Sequence, residues 1–76
     1  MPIYQFAVRR QNDQAADVRW RHLPDEEIAR RFASLLIDDF VSNGRYVASK
    51  RTRLEVKDVS GYLLFSIRFP QPSKAG

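Results

Sequence analysis

A single histidine, no cysteine and three glycines leave this chain few routes to covalent chemistry. Without cysteine there is no thiolate nucleophile and no thiol-imidazole pair, and His22 alone does not make a nitrogen and sulfur metal site. Gly44, Gly61 and Gly76 are too scattered for a phosphate loop or a dinucleotide fingerprint, both of which need clustered glycines. Asp38 and Asp39 are adjacent, and neighbours on a helix point about 100° apart, so they do not converge as a catalytic carboxylate pair must. The residue types therefore describe a protein that is not an enzyme and that needs no cofactor and no metal.

What remains is charge and aromatic surface. Thirteen Lys and Arg stand against nine Asp and Glu, a net charge of +4. Arg9, Arg19, Arg21, Arg53, Lys57 and Arg68 recur at alternate positions of strand-like segments, with Tyr62 beside them. Guanidinium groups attract phosphate and an exposed ring stacks a base, so these seven residues form the candidate binding face, with nucleic acid as one ligand class it suits. Solvent-side strand positions are also ordinary places for Arg and Lys, and the chain carries no motif of a known nucleic-acid module.

Such a face exists only if strands place it. Tyr4, Phe6 and Val8 alternate with Gln5, Ala7 and Arg9, and this period of two predicts a half-buried strand. After a polar stretch over 10–14, Val18 and Trp20 alternate with Asp17, Arg19 and Arg21, which predicts the second strand of a hairpin. Leu23-Pro24-Asp25-Glu26-Glu27 then opens a helix, with Asp25 as its cap and two carboxylates at the positive end of the dipole. The helix is expected to reach Asn43 and stop at Gly44. Ile28, Ala29, Phe32, Ala33, Leu35, Leu36, Ile37 and Phe40 fill one apolar arc along it. Asp39 falls inside that arc, which calls either for an arginine partner from a strand or a second subunit, or for hydration where the last turn overhangs the sheet.

Residues 45–51 read as a basic loop. Leu54 and Val56 alternate with Arg53, Glu55 and Lys57, and beyond the turn Asp58-Val59-Ser60-Gly61 a last strand places Leu63, Phe65, Ile67 and Phe69 on one face. The expected fold is α+β, in the order β-β-α-β-β, with one helix packed on one face of a four-stranded antiparallel sheet. Trp20 and Phe32 are expected between helix and sheet. The strand order stays open, because two hairpins flanking a helix can be laid side by side in several ways. Residues 1–70 make a single domain, and 71–76 a flexible C-terminal tail.

Short motifs run through nearly the whole chain: Met1-Pro2 with Tyr4 and Phe6, Leu23-Pro24-Asp25, and Val56, Asp58, Gly61, Leu63 and Leu64 in the last hairpin. With these motifs the sequence resembles a family of short proteobacterial proteins of unknown function. The resemblance implies a bacterial, cytoplasmic α+β protein and carries over no catalytic residue. This chain departs from the family's acidic, Gly-containing turn ahead of L-P-D, having Asp17-Val18-Arg19-Trp20-Arg21-His22 there.

Size and composition bound the function. Seventy-six residues with 43% hydrophobic content make one small folded domain. A core of this size rarely contributes more than roughly 3 to 5 kcal/mol, so self-association adds burial that the chain lacks. No apolar run approaches a membrane span, and a cytoplasmic protein is expected. Ile3, Ala7, Tyr62 and Leu64 are expected to leave apolar area on the sheet face turned from the helix. The reading is a small interaction or regulatory module, homodimeric or bound to another protein, with nucleic-acid binding through the arginine-rich face as the alternative.

Overall fold

A computed structural model describes residues 2–10, 14–44 and 52–70. Four strands and one helix follow in the order β1 (Ile3–Arg10), β2 (Ala16–His22), α1 (Glu26–Ser42), β3 (Thr52–Asp58) and β4 (Leu63–Arg68). The strands form one sheet in the order β2-β1-β3-β4, antiparallel at every junction, with α1 against one face. This is the expected α+β architecture, and it settles the strand order: the helix connection carries the chain past β1, so β1 and β3 become the central pair. The expected basic loop over 45–51 and the tail over 71–76 lie outside the described residues.

The helix begins and ends where its sequence dictates. Asp25 accepts a hydrogen bond from the Ile28 amide at 2.9 Å, and Gly44 takes the left-handed φ of +65° just past the C-cap Asn43. Glu26 pairs with Arg30 and Glu27 with Arg31 one turn on, at 3.2 and 3.4 Å. Ala29, Ala33, Leu36, Ile37 and Phe40 turn inward to meet Tyr4, Phe6, Val8, Leu54, Val56 and Phe65. Phe32 lies at the margin of this core, with its ring edge-on to Phe6 at 5.0 Å. Asp39 is exposed and, among the described residues, its carboxylate has no partner, so no strand arginine answers it there.

Two bulges displace residues from the faces that alternation assigns them. Phe6 opposes Arg19 but Val8 opposes Ala16, so β2 holds one residue more than β1 over that stretch. Asp17, at φ +50°, adopts the left-handed conformation that such an insertion needs. An unbulged strand starting from Ala16 would send Val18 and Trp20 to the helix side. The extra residue inverts the phase, so Trp20 opposes Gln5 on the far face and is 47% exposed. Arg19 and Arg21 take the helix side instead, over the rings of Phe40 and Phe32 at 5.2 and 5.7 Å. In β4, Val56 opposes Phe65 but Lys57 opposes Leu63. Leu64 is the extra residue there; it packs against the core, and Leu63 turns outward.

Candidate binding face

The helix covers one side of the sheet, and the other side carries no element of the described chain. Because directly opposed residues point the same way, the ladder defines this uncovered face row by row. One row runs Arg9–Arg53–Arg68 across β1, β3 and β4. The next holds Ala7, Glu55 and Ser66, and the one beyond it Trp20, Gln5, Lys57 and Leu63. Of the seven residues expected to form the face, Arg9, Arg53, Lys57 and Arg68 are brought together. Arg19 and Arg21 are removed to the helix side by the β2 bulge. Tyr62 stands 69% exposed at the end of the last hairpin, its carbonyl accepting from the Asp58 amide at 3.0 Å.

Glu55 is the organising residue of the basic end. It occupies a solvent-side strand position yet is only 7% exposed, because two arginines fold over it. Arg9 Nε donates to Oε1 at 3.0 Å and Arg53 Nε donates to Oε2 at 3.1 Å. Burial by itself raises the pKa of the Glu55 carboxyl, but the hydrogen bonds and charges of Arg9 and Arg53 outweigh it and hold the group below the usual glutamate range. The arrangement fixes two guanidinium groups against the sheet, and Arg53 keeps N–H groups in place for an anion.

The other end of the face is apolar. Trp20 and Val18 lie on β2, the edge strand, with Ile3 on β1, and Leu63 faces them from β4 across Gln5 and Lys57. Sequence reasoning placed Val18, Trp20 and Leu63 in the core and so missed this patch. It also expected Leu64 on the outer face, where Leu63 now stands. Asp17 was the one available signal, as a turn-prone residue at the start of an otherwise strand-like segment.

The hairpin that joins β3 to β4 is held by Asp58, whose Oδ1 accepts from the Ser60 amide, the Ser60 hydroxyl and the Tyr62 amide at 2.9, 2.6 and 2.9 Å. The Ser60 hydroxyl, followed by the backbone amides, lowers the pKa of this carboxyl. Gly61 closes the turn at φ +91°, a conformation that costs an L side chain roughly 1 to 2 kcal/mol. The turn thereby fixes the register of β4, and with it the position of Arg68 opposite Arg53.

Among the described residues no group of acidic, His or Cys side chains is placed to hold a metal ion, and no helix is long and apolar enough to cross a membrane. Compared with family models, curated proteins and solved structures, the chain has no significant match.

Proposed function

We propose that the chain is a small non-enzymatic interaction module that pairs with a second copy of itself through the apolar part of its uncovered sheet face. The observation that carries this reading is the inverted phase of β2. An ordinary edge strand points long cations to water and apolar side chains to the core. Here Arg19 and Arg21 lie over core rings, while Trp20 and Val18 face outward. Tryptophan is among the side chains enriched at the energetic centres of protein interfaces.

A second copy is the occupant that the charge pattern favours. The apolar patch sits at the β2 edge, away from the Arg9–Arg53–Arg68 row. Two copies can join there without stacking their arginines, whereas full face-to-face overlap brings two basic rows together with few carboxylates between them. A symmetric pair also supplies apolar burial that a chain of 76 residues cannot supply alone. A bacterial, cytoplasmic setting belongs to the same reading and rests on the family-like motifs around Tyr4, Leu23-Pro24-Asp25 and Gly61.

Gel filtration with light scattering tests it. The parent protein is expected at the mass of two chains, Trp20→Glu at the mass of one, and Leu35→Glu, on the helix's exposed side, at two. A parent that keeps a single-chain mass at high concentration refutes self-association and leaves a monomeric partner-binding module.

A further inference from the structure

We infer that the Arg9–Arg53–Arg68 row is a binding site for the phosphate backbone of single-stranded nucleic acid. Arg9 opposes Arg53, and Arg53 opposes Arg68, so three guanidinium groups rise from three adjacent strands spaced about 4.8 Å apart. Like charges placed directly opposite one another work against a sheet. Glu55 shares its one negative charge between Arg9 and Arg53 and makes no contact with Arg68. Arg68 is exposed and, among the described residues, has neither an ion pair nor a hydrogen bond. Lys57 adds a further cation on the same face, about 13 Å along β3 from Arg53.

The geometry selects the class of anion. A row of cations perpendicular to the strands matches a linear polyanion laid across the sheet, and each guanidinium presents a fork suited to phosphate oxygens. Glu55 holds Arg53 through Nε and Nη2, which leaves donors of that guanidinium uncommitted. The face is formed by the flat of the sheet, and among the described residues no helix or ribbon stands out from it to enter a duplex groove. A flexible single strand can follow such a surface; a duplex meets it only at isolated phosphates. The row lies apart from the Trp20 patch, so this site does not depend on the dimer.

Fluorescence anisotropy of a labelled oligothymidylate, titrated with the full-length protein over a range of salt, tests the proposal. Binding is expected at low salt, with log affinity falling against log salt at a slope of about −1.4 for two phosphates neutralised on a single strand by Arg53 and Arg68. Arg53→Ala and Arg68→Ala are each expected to weaken binding several-fold and to flatten the slope by about 0.7. Arg68→Ala leaves the Arg9–Glu55–Arg53 cluster whole, so it remains informative should Arg53→Ala fail to fold. Arg19→Ala and Arg21→Ala remove the same charge from the helix side and are expected to leave affinity and slope unchanged. Absence of binding at low salt, equal weakening by the helix-side variants, or equal displacement by polyglutamate overturns the site. A monomeric parent that still binds refutes only the dimer, and a dimeric parent that does not bind refutes only this site.

Discussion

Glu55 shows how far a neighbour can change a residue's role. Alternation makes it a solvent-side carboxylate, and the ladder does put it on that side, but Arg9 and Arg53 close over it until it is nearly buried. Its folded-state pKa lies below the ordinary value of 4.5, and that of Asp58 below 3.8. As pH falls, the unfolded chain takes up protons at these positions first. The stabilisation is therefore complete above the ordinary carboxylate range and is lost as pH drops through the lower folded-state values. Acid denaturation followed by circular dichroism should show stability falling below about pH 4.5, with a shallower fall in Glu55→Gln. At neutral pH that substitution is expected to cost about 1 to 3 kcal/mol, toward the lower end because both arginines are partly exposed and can rehydrate. A Glu55→Gln protein with unchanged stability at pH 7 would show that the arginines do not need the carboxylate.

At the scale of the element, the two bulges decide more than any single contact. One extra residue in β2 exchanges Trp20 for Arg19 and Arg21 beneath the helix, and one extra residue in β4 exchanges Leu63 for Leu64. The arginines serve the core in a way that alternation does not suggest: their stems and charged heads cover the rings of Phe40 and Phe32. The expected order of destabilisation on truncation to Ala follows. Phe40, fully buried, should cost about 3 to 5 kcal/mol. Phe32, at the core margin, should cost less, and Trp20 least, under about 1 kcal/mol at dilutions where the chain is monomeric. Urea denaturation gives the ranking. Since Trp20 is the only tryptophan, collisional quenching by iodide gives an independent check: strong quenching in dilute solution is expected, and a fully protected indole would restore Trp20 to the core.

At the scale of the whole molecule, the described residues form two layers, a helix on a sheet, and place no element on the far side of the sheet. Antiparallel sheets tolerate one wet face, and here that face is divided into an arginine end and an apolar end. The division allows both proposed surfaces to operate together: pairing near β2 leaves each arginine row open, and two rows on one particle strengthen attachment to a strand long enough to reach both. If the dimer forms, folding and association are linked, and the melting temperature must rise with protein concentration. That dependence should vanish in Trp20→Glu while persisting in Arg68→Ala. A melting temperature independent of concentration in the parent would place the folded unit at one chain.

The sequence by itself determined the elements, their order and the helix-facing sides of β1 and β3. Tyr4, Phe6, Val8, Leu54 and Val56 repeat with period two, α1 with period 3.6, and Asp25 and Gly44 mark the helix ends by local chemistry; none of these signals needs a distant partner. It also placed Arg9, Arg53, Lys57 and Arg68 on one face, since β1 and β3 are regular and Arg68 is fixed by pairing with β3. Tertiary structure decided the strand order and the faces of β2 and the start of β4. Strand order depends on how two hairpins dock, and a bulge inverts a strand's phase without altering its alternation, so the same run of residues fits either face. Trp20 is outward because the bulge shifts the phase of β2, and Arg19 and Arg21 cover Phe40 and Phe32 in its place. That choice is settled between elements far apart in the chain, and it put Trp20 and Val18 into the apolar patch on which the proposed dimer depends.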